Sequence, residues 1–354
     1  MTYFNGRGII PYIDLFYTNI DGRNEMKICV LGAGTWGTAL ARMLSLGGNS
    51  VTVWSAIQKE VDELSSKRKH PNLLGMKIPE DIVFTGDIKE ACEDKEVIVF
   101  ATPSVYIRSV AKQAKEYVSK DAVIVDVAKG IETETLKTMS EVIADELGDI
   151  RIVALSGPTH AEEVSKDMPT TIVSASRDYD AAVLVQNVFS NNTMRVYANS
   201  DILGVELCGA LKNIIALAAG ISQGLGYGDN AKAAIITRGA AEMARLGMAM
   251  GCDIKTFYGL AGVGDLIVTA TSIHSRNNHA GYLIGRGHSP KRAIEEVGMV
   301  VEGMNALPAA MGLSEKYGVE LPIISAVNDI VNNKANPADV VEALMTREYK
   351  IENN

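Results

Sequence analysis

The chain has 354 residues, more than one hydrophobic core usually serves, so about two domains are expected. Hydrophobic residues make up 47% and charged residues 22%, an ordinary globular balance, and the net charge of −9 argues against nonspecific nucleic-acid binding. Four cysteines (Cys29, Cys92, Cys208 and Cys252) form no C-x-x-C and read as reduced thiols of a cytoplasmic protein.

Residues 1–25 hold five aromatics, Tyr3, Phe4, Tyr12, Phe16 and Tyr17, with no strand or helix period. They read as an extension before Met26, where the regular pattern begins: a loosely held tail or the product of an upstream translation start, with an extra contact arm as the functional alternative. Pro11 and Asp14 break the one apolar run, so no signal peptide is expected.

Short β-branched runs then alternate with helical ones. Residues 27–31, 50–54, 96–101, 122–127 and 151–156 read as buried strands, with helical segments such as 38–46 and 105–118 between them. This βαβ rhythm predicts a doubly wound parallel sheet of the Rossmann type, extended by 170–176 and 194–198. Beyond about residue 200 the runs are helical: 201–223, 230–250, 277–286, 290–297, 304–317, 322–333 and 337–346. A dinucleotide-binding domain over 26–200 and an all-α substrate domain over 201–354 follow.

Gly32, Gly34 and Gly37 stand in G-x-G-x-x-G spacing after the first strand and at the start of a helix, the context that makes the motif specific. Gly32 makes the tight turn, Gly34 admits a pyrophosphate and Gly37 lets helix and strand pack. An NAD site usually has an acid at the end of the second strand, yet Ser55 stands there and no acid precedes Glu60. Lys59 and the run 67–69 could reach a 2′-phosphate or be a solvated charge run. Use of NADP or NAD is therefore expected, with no metal.

Three later strand ends carry "ATPSV", "VAKGIE" and "SGPTHAEEV", so a cleft is expected at the carboxyl edge with Lys129 in it, unless Lys129 is a plain surface lysine. Two groups stand alone in apolar surroundings of the helical part. Lys212 lies in "ELCGALKNIIALAAGISQGLGYG", with no acid one turn away and Glu206 on another face. Asp265 lies in "AGVGDLIVT", where a helix N-cap is the plain alternative, and Ser275, Arg276 and Asn277 follow. Charges interrupt the run around Lys212, which reads as a core helix and implies no stable membrane insertion.

These blocks, with "HPNLLGMKIP" and "VVEGM", resemble the bacterial NAD(P)-dependent glycerol-3-phosphate dehydrogenases over about residues 27–350. The resemblance implies reduction of dihydroxyacetone phosphate to sn-glycerol 3-phosphate for phospholipid synthesis. It makes Lys212 the proton acceptor and Lys129, Gly157, Thr159 and Asp265 substrate contacts. Ser275, Arg276 and Asn277 become the phosphate-side cluster. Thr35, Trp36, Ala161, Val300 and Glu302 become cofactor contacts beside the glycines, with Lys129 and Arg276 touching both ligands. Many members carry an arginine just after the second strand, where this chain has Ala56 and Ile57. A hydroxy-acid or sugar-acid dehydrogenase, with His160 as rival base, and a non-catalytic dinucleotide sensor are the alternatives. A homodimer is left open.

Overall fold

The computed structural model describes residues 25–349 and 351. Apart from Glu25, the N-terminal extension lies outside them. Eight strands form one sheet: β1 (Lys27–Leu31), β2 (Ser50–Trp54), β3 (Val83–Thr85), β4 (Val97–Phe100), β5 (Val123–Asp126), β6 (Arg151–Ser156), β7 (Thr170–Ala175) and β8 (Met194–Asn199). The order is β3-β2-β1-β4-β5-β6-β7-β8. The chain winds outward from β1 to one side and from β4 to the other, so the switch point lies between β1 and β4.

The central strands β1, β4 and β5 are mostly apolar because both faces are covered, with Lys27 at the start of β1 and Asp126 at the end of β5 as the charged exceptions. In β1, Ile28 and Val30 enter one core cluster, while Cys29 and Leu31 enter the cluster on the opposite face.

The sheet departs from all-parallel at β7, which runs antiparallel to β6; β8 is then parallel to β7. Only the four-residue helix Ala161–Val164 lies between β6 and β7. That connection is too small for a crossover helix, so the chain turns back at the same edge. β3 has three residues at the sheet margin, too few to show a period in the sequence.

From Ile202 onward the structure is helical. Its centre is the 23-residue helix Ile202–Gly224, capped by Asp201, whose carboxylate accepts from Gly204 N at 2.9 Å. By length and composition this helix could cross a membrane, but 94% of its most apolar window is buried inside the protein. It is the core helix around which the others pack. Against it the helix Arg276–Gly285 lies unusually close. A Cβ on Gly281 would stand 2.1 Å from Leu217 O, and one on Gly285 2.3 Å from Ile221 O. From the other side, a Cβ on Gly220 would stand 2.0 Å from Asn278 O, and one on Gly224 2.3 Å from Tyr282 O. Backbone meets backbone with no side chain between.

Candidate active site

The glycine-rich turn follows β1. Gly32 has φ +128°, and a Cβ there would meet Ala101 O at 2.7 Å, so the ends of β1 and β4 touch at the switch point. A Cβ on Gly37 would meet Gly32 O, which fixes the helix Thr35–Leu46 against the turn. Gly34 is exposed, with nothing within 4 Å of where a Cβ would be, and the helix it caps has no side-chain cap. The first-turn N–H groups, including those of Thr35, Trp36 and Gly37, thus open onto free space at the positive end of a helix. This cradle fits a dinucleotide pyrophosphate.

At the end of β2 the structure adds a contact that the sequence does not show. Ser55 has no acid beside it in sequence, but its Oγ donates to Glu60 Oε2 at 2.7 Å. The first turn of the helix Gln58–Lys67 brings the carboxylate back to the strand end. Within the 67–69 run, Lys67 pairs with Glu63, and Arg68 donates to Ile82 O and pairs with Glu80.

At the far side of the switch point, Lys129 Nζ donates to Asp265 Oδ2 at 2.7 Å and to Gly157 O at 3.1 Å. Thr159 Oγ also donates to Gly157 O at 3.1 Å. Lys212 Nζ donates to Asp265 Oδ1 at 2.6 Å and to Thr269 Oγ1 at 2.5 Å. The lysine without a partner on its own helix therefore finds one across the fold. Lys212 is 4% exposed and Asp265 1%. Asp265 begins the helix Asp265–Thr271, so Thr269, four residues on, shares its face.

One carboxylate thus serves two ammonium groups. Burial brings Lys212 down to about 7; Asp265 pulls the other way, and Lys129 pushes it further down. Gly209 makes room for this arrangement: a Cβ there would lie 3.4 Å from Lys129 Cγ and 3.2 Å from Ser156 Oγ. Beneath it, Glu206 does point elsewhere, accepting from Ser140 N at 2.7 Å.

Ser275, Arg276 and Asn277 enter differently. Ser275 caps the helix Arg276–Gly285, accepting from Asn278 N. Asn277 is buried; its Nδ2 donates to Asn213 Oδ1 at 3.0 Å, and its Oδ1 accepts from Gly303 N at 2.8 Å. Its side chain therefore sets the spacing of three helices. Arg276 is exposed and makes no ion pair among the described residues. Its sequence neighbour Asn277 bonds to Asn213, which adjoins Lys212 on the core helix.

The neighbouring Glu302 reaches the loop after β4: it accepts from Ser104 Oγ at 2.6 Å and from Ser104 N at 3.1 Å. Val300 is half-buried in the preceding turn, and Ala161 is buried at the start of its short helix. Hydrogen bonds therefore run from Asn213 through Asn277 to Gly303, and from Glu302 to Ser104. They join the lysine side of the cleft to the sheet edge.

His160 stands at the N-cap of that short helix but makes no capping bond. Burial, and then the charge of Lys212, hold it below the usual histidine range. Thr269, Asn213, Ser104 and Glu60 were not apparent as site residues in sequence. The i, i+4 pair Asp265–Thr269 and the polar Asn213 in an apolar run were the available signals.

Residues 27–182 match the N-terminal family model of NAD-dependent glycerol-3-phosphate dehydrogenase, and residues 201–342 match its C-terminal model. The chain is 62% identical over 332 residues to glycerol-3-phosphate dehydrogenase [NAD(P)+] 2 of Lactobacillus delbrueckii subsp. bulgaricus, covering 92% of this chain and 98% of the relative. It is 50% identical to the Bacillus subtilis glycerol-3-phosphate dehydrogenase [NAD(P)+], covering 91% and 94%. The crystal structure of glycerol-3-phosphate dehydrogenase from Coxiella burnetii superposes with a TM-score of 0.87 at 36% identity, covering 91% of this chain and 99% of that one. The chain belongs to the NAD-dependent glycerol-3-phosphate dehydrogenase family.

Proposed function

We propose that Lys212 is the proton acceptor of an NAD(P)-dependent glycerol-3-phosphate dehydrogenase and that Arg276 holds the substrate phosphate. The chain interconverts dihydroxyacetone phosphate and sn-glycerol 3-phosphate. The observation that carries the assignment is the buried Lys212–Asp265–Lys129 cluster at the carboxyl edge of the sheet. A nicotinamide bound there supplies or accepts the hydride.

Removing a hydride from a secondary alcohol also requires a base for the hydroxyl proton. A lysine near pH 7 exchanges a proton in either direction, taking it from the alcohol or returning it to the ketone oxygen. Asp265 fixes the position of the amine, and Thr269 accepts one of its hydrogens. Lys129, fixed by Asp265 and Gly157 O, adds a second cation for the developing oxyanion. The planar guanidinium of Arg276 suits a phosphate. We place the domain boundary at about residue 200, between the last strand and the core helix. The free cysteines accord with a cytoplasmic setting, and the product supplies glycerophospholipid synthesis.

The test is reduced-dinucleotide oxidation against a ketone panel with and without phosphate. Dihydroxyacetone phosphate should exceed dihydroxyacetone and 2-keto acids in kcat/KM. Faster turnover of a 2-keto acid would overturn the substrate assignment.

A further inference from the structure

The end of β2 carries an acid that its sequence does not place there. Trp54 O accepts from Gly32 N at 2.9 Å, so Ser55 directly flanks the glycine-rich turn. Its one O–H is committed: it donates to Glu60 Oε2 at 2.7 Å, and the oxygen accepts from Ile57 N at 3.1 Å. Ser55 is therefore not itself a free phosphate ligand. It is a tether that holds Glu60 at the strand end.

His70 lies on the side of the glycine-rich turn. His70 is buried; its ring bonds to the backbone of Ala33, inside the glycine-rich turn, and it lies close enough to Glu60 to feel its charge. Nδ1 of His70 accepts from Asn72 N at 3.1 Å. Ser55 thus holds Glu60 at the end of β2, which flanks the turn that cradles the pyrophosphate. In a doubly wound sheet that is where the adenosine ribose lies.

Two of the four nearby cations are engaged elsewhere. Lys67 is paired with Glu63 at 3.3 Å. Arg68 is turned away, donating to Ile82 O at 2.7 Å with its guanidinium 5.7 Å from the Phe84 ring centroid. Lys59 and Lys69 are exposed and form no ion pair among the described residues.

We propose that Glu60, presented from the first turn of the helix Gln58–Lys67 and tethered by Ser55, is the acceptor for the adenosine ribose 2′-hydroxyl and makes this chain select NADH over NADPH. A carboxylate accepts a hydrogen bond from a hydroxyl but faces a 2′-phosphate as a like charge. The inference rests on the dinucleotide reading of the glycine-rich turn.

The experiment measures dissociation constants of NADH and NADPH by nicotinamide fluorescence on the full chain. Wild type, Glu60→Gln and Glu60→Lys are compared, with thermal melting to confirm that each is folded. Wild type should bind NADH about tenfold or more tightly than NADPH. Glu60→Gln keeps an oxygen for Ser55 and removes the charge, so the ratio should fall several-fold, mainly through tighter NADPH binding. Glu60→Lys should invert it. Equal or tighter NADPH binding by the wild type, or an unchanged ratio in folded Glu60→Gln, would overturn the proposal. Binding of neither dinucleotide would instead remove the dinucleotide site and Glu60's role with it.

Discussion

Lys212 and Asp265 meet at 2.6 Å, though 53 residues separate them. The other oxygen of the same carboxylate, at 2.7 Å, belongs to Lys129. Two cations sharing one buried anion leave a net positive charge out of water, and this explains why burial outweighs the ion pair in setting Lys212.

Replacing Lys212 with methionine keeps the stem and removes the amine. Asp265 retains Lys129, so no carboxylate is stranded, and the melting temperature should stay close to that of the wild type. The kcat should fall by about 10²–10⁴-fold, the size of a lost general acid–base. A wild-type kcat with chemistry rate-limiting would move the base elsewhere, and His160 is the next group to try.

The two charges nearest Lys212, Asp265 and Lys129, act on it in opposite directions. Oxidation of glycerol 3-phosphate needs the free amine, so its rate should rise through about pH 7. Reduction needs the ammonium and should fall over the same range. Lys129→Met removes a cation that depresses Lys212, so the midpoint should move up. Asp265→Asn removes the anion that supports the ammonium, so the midpoint should move down, with a stability loss of about 3–5 kcal/mol. Midpoints moving in the same direction in both variants would contradict the shared-carboxylate account.

Arg276 should act on the phosphate rather than on the reacting carbon. Arg276→Ala should raise KM for dihydroxyacetone phosphate strongly and change kcat/KM for dihydroxyacetone little. An equal penalty on the two ketones would rule out a phosphate anchor.

Glu242 gives a pH signature that belongs to the fold. Its carboxylate accepts from Ile323 N at 2.7 Å and Ile324 N at 3.2 Å, and burial pushes it up to about 7 from 4.5. The folded chain therefore holds more protons than the unfolded chain between those values. This contribution to stability is full below about 4.5 and lost as pH rises through about 7, amounting to at most about 3 kcal/mol. Melting temperature should fall from pH 5 to pH 7.5. Glu242→Gln, still able to accept from Ile323 N, should show a shallower fall.

Much of this was legible in the sequence because the relevant signals are local. The glycine spacing after a β-branched run announced the turn at Gly32, and uninterrupted apolar runs announced β1, β4 and β5. Beyond residue 200 the ends of the expected helices fell within two residues, because residues such as Asp201, Ser289 and Pro322 are local start signals. What escaped depends on three dimensions. The reversal at β7 follows from how far the 157–169 connection can travel. The pairing of Lys212 depends on two helices far apart in sequence. Glu60 lies six residues past the strand end at Trp54, and only the curl of the first helical turn returns it to Ser55.

The close approach of Gly220 and Gly224 to Gly281 and Gly285 has a consequence for mutational scans. Where backbone rests on backbone, no rotamer can absorb an added methyl, so alanine at Gly281 should cost about 1–3 kcal/mol or more. It should also lever Ser275–Asn277 away from Lys212. In a tolerance map these four glycines would score beside Lys212 although none of them faces a reacting atom. Thermal melting should separate the two classes: alanine at these glycines lowers the melting temperature, whereas a missing amine at Lys212 leaves it close to that of the wild type.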